Sequence, residues 1–354
     1  MSRFLSPRFC KLTPYVPGEQ PQGREYVKLN TNESPFPPSP KVLEVLAGSF
    51  SSLNLYPDPN TRRAVGHIAD ALGIKPENVM LGNGSDENLS FCFQAFCDAT
   101  RPACFADITY GFYPVFADIC GVPTKIHPLD ENFCIRPADY FSAPGTVFIA
   151  NPNAPTGLAL SREDIRAILV ANPNNVVVVD EAYVDFGAES AVALVPDFEN
   201  LIVVQTLSKS RSLAGARIGF AIAQAPLIQD LNTMRFSFNP YNLNRLSLLA
   251  AEAAILDTEY FSQCTAKICE TRAYTAKALT DRGFTVLPSR ANFIFARPNR
   301  MRGGDYYRRL RKKGVLVRHF DKPRISDYVR ISIGSMDQMH VLLAATDELW
   351  EETR

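Results

Sequence analysis

The chain has 354 residues, enough to bury a large core and to form more than one domain. Its 37 Lys and Arg balance 37 Asp and Glu, so no net field draws it to nucleic acid or to a membrane, and a hydrophobic share of 46% is ordinary for a globular protein. No apolar run approaches the ~20 residues of a membrane span, the N-terminal stretch has no signal-peptide core, and the eight cysteines and four histidines show no metal-type spacing. Reduced thiols, a cytoplasmic location and no metal are expected.

The first forty-odd residues are rich in proline (Pro7, Pro14, Pro17, Pro21, Pro35, Pro37, Pro38, Pro40). Proline removes donors and restricts its predecessor, so an extended arm is expected, leading through LNTNESPFPPSP (29–40) to a helix over 41–47. A turn at Tyr56-Pro57-Asp58-Pro59 precedes a helix that carries Val65, Ile68, Ala69 and Leu72 on one face. From residue 79 to 223 short apolar runs (103–106, 147–150, 176–179, 201–204, 219–223) alternate with amphipathic segments. β-Branching without strict alternation indicates strands buried on both faces, and the intervening segments read as crossover helices. An α/β domain with a mostly parallel sheet follows, with ligands at the carboxyl ends of its strands. Helices are expected at 243–256 and 261–282, then strands at 293–296, 315–318 and 328–333 mixed with helices at 305–313 and 337–352, an α+β arrangement. The division expected is an N-terminal arm (1–45) joining the small domain, a large domain (46–245) and a small C-terminal domain (246–354).

Six constellations carry chemistry. Gly82-Asn83-Gly84-Ser85-Asp86-Glu87 precedes a helical stretch, where glycines allow close backbone approach, Ser85 can cap the helix, and free N–H groups suit a phosphate. Thr109-Tyr110-Gly111-Phe112-Tyr113 follows a strand and offers a ring to stack on a planar ligand, although periodicity does not separate Tyr110 from Phe112 or Tyr113. Asn151-Pro152-Asn153-Ala154-Pro155-Thr156-Gly157 is a rigid turn with a candidate cis bond at Ala154–Pro155. Asp180 ends the run 176–179 at the crevice side, with Tyr183 close behind it, and Arg330 lies on an apolar strand with Arg318 on the one before. Finally Ser208-Lys209 follows the run 201–204 and leads to Arg217. A lone loop lysine is ordinarily a surface residue. Drawn toward a low-dielectric pocket, its amine loses charge and can attack a carbonyl.

Taken in order, these motifs resemble the fold-type I pyridoxal-phosphate aminotransferases over nearly the whole chain. LNTNESPFPPSP, LYPDP, GNGSDE, TYGFYPVFA, DEAYVDF, TLSKSRSLAGARIGF and YVRISIG resemble most closely the histidinol-phosphate aminotransferases. The resemblance implies pyridoxal 5'-phosphate as cofactor, Lys209 as the Schiff-base lysine, Asp180 on the pyridine nitrogen, Tyr183 on the phenolic oxygen and Tyr110 stacked on the ring. It further implies a phosphate held by Gly84, Ser85, Asp86, Ser208 and Arg217, with Tyr56 arriving from the second subunit of a homodimer. Tyr15, Asn32, Arg318 and Arg330 fall where the substrate's phosphate or the carboxylates of glutamate would bind. The implied reaction exchanges an amino group between L-histidinol phosphate and 2-oxoglutarate in two half-reactions, the lysine amine serving as base with help from burial and from Arg217. One departure stands out: the family's Asn before Pro-Thr-Gly, which donates to the phenolic oxygen, is Ala154 here, so Asn153 or Asn151 is redirected or Tyr183 acts alone. An aromatic-amino-acid aminotransferase, a phosphothreonine-type decarboxylase and a regulatory module are the competing readings, the last opposed by the near-zero charge.

Overall fold

In the computed structural model every residue is described except Met1, Lys11, Gln22, Arg24, Thr353 and Arg354. The elements in chain order are β1 (Val27–Lys28), α1 (Pro40–Ala47), α2 (Arg62–Leu72), β2 (Val79–Asn83), α3 (Ser85–Phe96), β3 (Ala103–Ala106), α4 (Tyr113–Cys120), β4 (Thr124–His127) and β5 (Thr146–Ala150). Then come α5 (Arg162–Val170), β6 (Val177–Asp180), β7 (Leu201–Thr206), β8 (Ile218–Ala223), α6 (Ala225–Phe238), α7 (Arg245–Leu256) and α8 (Thr258–Asp281). The last are β9 (Phe284–Val286), β10 (Phe293–Pro298), α9 (Gly303–Lys312), β11 (Val315–Leu316), β12 (Arg318–His319), β13 (Val329–Ser332) and α10 (Met336–Glu351).

A seven-stranded sheet in the order β2-β8-β7-β6-β5-β3-β4 forms the centre, parallel apart from the reversed strand β8. Successive residues of its inner strands feed opposite faces. Val147, Ile149, Val177, Val179, Leu201 and Val203 pack with α2, α5 and α7, whereas Phe148, Val178, Ile202 and Val204 pack with α3, α4 and α6. Burial on both faces explains why these strands read as continuous apolar runs. The α/β fold with its mostly parallel sheet is as expected. Two of its strands escape the apolar-run criterion: β2 ends in Gly-Asn, and β4 is a largely exposed edge strand.

A four-stranded antiparallel sheet, β12-β13-β10-β9, packs against α8, α9 and α10 around Tyr306, Leu310, Ile331, Leu342 and Trp350. The strand expected over 315–318 is two strands. Val315–Leu316 pairs in parallel with β1 of the arm, and after Val317 the chain turns to pair Arg318–His319 with β13. The N-terminal segment is thus sewn to the C-terminal region by a ladder that local sequence does not announce. Helix α7, which the division above assigns to the small domain, packs on α1 and α2 and contributes Leu248, Ala251 and Ile255 to the core of the large sheet. Among the described residues no helix is long and apolar enough to cross a membrane, and no cluster of His, Cys, Asp or Glu could hold a metal.

Candidate active site

The carboxyl ends of β5, β6 and β7, the head of α3, the arm and β12–β13 enclose a cavity of about 570 Å³, the size range of small-molecule sites. Its floor is set by the sheet. Asp180, the last residue of β6, pairs in register with Ala150 of β5 and Val204 of β7, so the strand delivers its carboxylate to the crevice. Asp180 is 5% exposed and accepts from the Tyr113 hydroxyl at 3.0 Å and from the Ala182 N–H at 3.2 Å. Burial pushes its carboxyl up to about 7, since neither neighbour supplies a positive charge. A cationic ring N–H would compensate this aspartate.

Lys209 follows β7 in a loop and lines the cavity, its Nζ donating to the Thr31 carbonyl at 3.3 Å. Burial first, then the facing Arg330 guanidinium, pulls its ammonium down to about 8, against the pull of Glu33 and Asp86. Arg217 acts in the expected direction but is a smaller contributor than Arg330. Tyr183 also lines the cavity, its ring 5.9 Å from Lys209 Nζ and its hydroxyl accepting from Asn32 Nδ2 at 3.0 Å.

The anion end is built by glycines. Gly84 (φ +81°) precedes α3, and a side chain there would run into the Arg217 guanidinium. Gly219 on β8 touches the Gly84–Ser85 peptide so closely that a Cβ would collide with the Ser85 nitrogen. The cap differs from expectation: Gly84 is the N-cap residue and Ser85 the first helical one, so Ser85 leaves a free N–H as well as a hydroxyl at the helix start. The Asp86 carboxylate accepts from Arg217 at 3.1 Å and from the Tyr110 hydroxyl at 2.6 Å. Ser208, buried, is paired with Thr206 Oγ1 at 2.9 Å beside this end.

Tertiary packing separates three aromatics that periodicity could not. Tyr113 is fully buried beneath Asp180, Phe112 stacks on Tyr15 with centroids 4.5 Å apart, and Tyr110 faces the cavity. Tyr15 comes with the arm, whose Val16 and Pro17 carbonyls accept from Arg318 at 2.9 and 3.1 Å. Arg330 donates to the Asn30 carbonyl at 3.1 Å, and its buried Nε has no hydrogen-bond partner among the described residues. An anion in the cavity would satisfy it. Tyr56 lies outside the cavity, 78% exposed and stacked on Tyr241 at 4.4 Å.

One candidate is corrected. Asn153 is turned away: its amide donates to the Ile108 carbonyl at 2.9 Å and to Thr156 Oγ1 at 3.1 Å, and its oxygen accepts from Thr109. Asn151 is likewise closed on Leu160, and Pro152, Ala154 and Pro155 line the cavity, with both Asn151–Pro152 and Ala154–Pro155 cis. Neither asparagine of this turn lines the cavity. Thr31, Ser332, Phe320 and Lys322 went unnoticed in the sequence, because each owes its place to a contact across the fold. The residues present fit pyridoxal phosphate: a buried aspartate short of positive charge, a lysine of lowered basicity, and a glycine-lined helix start with an arginine beside it.

The profile of the family described as Aminotransferase class I and II matches residues 24–345. Over 349 residues the chain is 50% identical to histidinol-phosphate aminotransferase 1 of Bradyrhizobium diazoefficiens, covering 99% of this chain and 100% of that protein. It is 48% identical to the histidinol-phosphate aminotransferase of Clostridium botulinum strain Kyoto, covering 97% of both. Among solved structures, that of histidinol-phosphate aminotransferase from Sinorhizobium meliloti in complex with pyridoxal-5'-phosphate superposes with a TM-score of 0.91 at 25% identity, over 100% of this chain and 99% of that one. A threonine-phosphate decarboxylase from Porphyromonas gingivalis shares the fold alone, at 20% identity. The chain therefore belongs to the class I and II aminotransferases and, within them, to the histidinol-phosphate aminotransferases.

Proposed function

We propose that this protein uses pyridoxal 5'-phosphate to move an amino group from L-histidinol phosphate to 2-oxoglutarate, giving imidazole acetol phosphate and L-glutamate, a step of histidine biosynthesis. The observation that carries this reading is a buried lysine of lowered basicity and a buried, uncompensated aspartate lining one cavity at the carboxyl ends of a mostly parallel sheet. Near 50% identity to histidinol-phosphate aminotransferases over the whole length supports it over the decarboxylase and aromatic-amino-acid readings.

When bound, the cofactor supplies an electron sink for charge developing at the substrate's α-carbon. The Lys209 amine, its basicity lowered by burial and by the facing Arg330, serves as the base that removes the α-proton. Asp180 keeps the ring nitrogen protonated, and Tyr183 donates to the phenolic oxygen. The α3 N-terminus with Gly84 and Ser85, together with Ser208 and Arg217, holds the cofactor phosphate, and Asp86 orients Arg217 and Tyr110. Arg330, Arg318 and Tyr15 receive the substrate's phosphate or the second carboxylate of the dicarboxylic acid, both of which suit a guanidinium fork. Because the two substrates take turns in one cavity, ping-pong kinetics are expected.

We also infer a homodimer. Phe50, Leu53, Leu55, Tyr56 and Phe238 are large apolar side chains that are more than half exposed in the single chain, and a second copy would cover them. Tyr56 is the residue offered to the partner's cavity. Eight free thiols support a reducing compartment such as the cytoplasm.

The test is a half-reaction. Purified, cofactor-loaded protein mixed with histidinol phosphate should lose its visible cofactor band and gain absorbance near ~330 nm, and 2-oxoglutarate should reverse the change. Phenylalanine should act far more weakly, and no CO₂ should appear. Lys209→Ala should abolish turnover and the wild-type cofactor spectrum; a normal spectrum in that variant, or CO₂ release by the wild type, would overturn the assignment.

A further inference from the structure

The Tyr183 hydroxyl ends a short buried chain of hydrogen bonds whose direction follows from counting donors. The Asn32 backbone N–H donates to Ser332 Oγ at 2.8 Å. A hydroxyl that accepts there has one proton to place, and Ser332 Oγ places it on Asn32 Oδ1 at 3.0 Å. With Oδ1 engaged as an acceptor, the other end of the amide is Nδ2, which can only donate, and it lies 3.0 Å from Tyr183 Oη. The phenolic oxygen therefore accepts from Asn32, and its own proton is turned away from Asn32. Reversing the amide would aim two donors at Ser332 Oγ, strand the serine proton, and draw the Tyr183 proton onto Asn32 Oδ1. Water does not intervene freely, since Asn32 is 1% and Ser332 3% exposed.

The backbone holds this arrangement. Asn32 has φ +54°, a conformation asparagine tolerates better than most residues, and its carbonyl accepts from Asn292 Nδ2 at 2.9 Å. Ser332 is the last residue of β13, and its N–H donates to the Leu29 carbonyl at 3.0 Å. Ser332 thus adds to the contacts that join the arm to the C-terminal sheet. The direction of the Tyr183 proton matters more here because the turn 151–157 sends no amide to the same side of the cavity.

We propose that Ser332 is a positioning residue: by locking the Asn32 amide it aims the Tyr183 hydroxyl proton into the cavity, where it can donate to the phenolic oxygen of the bound cofactor. This rests on the reading of the cavity as a pyridoxal-phosphate site. The charged groups that face Tyr183 are Lys209 from the loop after β7, Arg330 from β13, Asp180 from β6 and Asp86 from α3. None of them contacts Ser332 Oγ by hydrogen bond, so a change at Ser332 reaches the cofactor through Asn32 and Tyr183.

The experiment is a pH titration of the visible absorbance of the cofactor-loaded enzyme. A phenolic oxygen without its donor holds more negative charge and favours the protonated form, so Ser332→Ala should raise the midpoint by about one pH unit. Ser332→Thr keeps the hydroxyl and should retain the wild-type midpoint; Ser332→Cys, a weak donor of similar volume, should shift it upward and serves if the alanine variant does not fold. In a Tyr183→Phe background Ser332→Ala should add no further shift. An unchanged midpoint in Ser332→Ala, an equal rise in Ser332→Thr, or a full additional shift in the Tyr183→Phe background would overturn the proposal. A wild-type protein that shows no visible cofactor band at all would instead overturn the cofactor reading, so the two failures are distinguishable.

Discussion

At the scale of single residues, the site depends on buried groups kept away from their ordinary charge. Asp180 carries its carboxyl up to about 7 because burial outweighs the bonds from Tyr113 and Ala182. A carboxylate raised in the folded state destabilises the fold above its folded value and not below its unfolded one. The cofactor-free protein should therefore lose stability as pH rises from about 4 to about 7, by up to roughly 4 kcal/mol if the whole shift is realised. Asp180→Asn keeps both hydrogen bonds feasible and should melt higher than wild type at pH 8 without cofactor, the advantage vanishing near pH 4. A gain of equal size at both pH values would contradict the burial argument. With cofactor bound, the same substitution should be the worse enzyme, because a neutral amide holds a protonated ring nitrogen poorly.

At the scale of elements, the anion end is a contact between two backbone segments, and only glycine allows it. Gly219 in β8 lies against the Gly84–Ser85 peptide at the head of α3. Gly219→Ala would push that peptide and its free N–H groups off the phosphate position, and overpacking of this kind commonly costs about 1–3 kcal/mol. Cofactor affinity should fall about tenfold or more, measured by titrating stripped protein with pyridoxal phosphate and following absorbance. Gly215, around which an added Cβ would meet open space, provides the control, and Gly215→Ala should leave affinity near wild type. The GNGSDE stretch was legible as a glycine turn at the head of a helix. The partner glycine was not, since its neighbour lies more than a hundred residues away and strand pairing alone brings them together.

At the scale of the whole molecule, the exposed apolar side chains and the position of Tyr56 argue for a second copy. Phe238, 73% exposed at the end of α6, is the most direct probe. Phe238→Glu should shift the mass measured by light scattering from dimer toward monomer at micromolar protein, and turnover should fall with it, because Tyr56 would no longer reach a neighbouring cavity. A Phe238→Glu protein of unchanged mass and activity would remove that face from the interface.

Local chemistry made the central sheet readable: strands buried on both faces must be continuously apolar, and Asp180 and Lys209 stand where such runs end. The order of motifs was enough to recognise the aminotransferase family, and the missing amide at Ala154 was visible in the bare sequence. What the sequence could not decide depends on contacts over long separations. Tyr110, Phe112 and Tyr113 look alike in sequence, and only packing put one in the cavity, one on Tyr15 and one under Asp180. Asn153 is a plausible donor until its amide is seen spent on Ile108 and Thr156. Ser332, an ordinary strand serine, acquires a direction-setting place only because the fold brings it to Asn32, 300 positions earlier. Side-chain type and local periodicity are written in neighbouring residues, whereas hydrogen-bond direction is a property of atoms that meet only after the chain has folded.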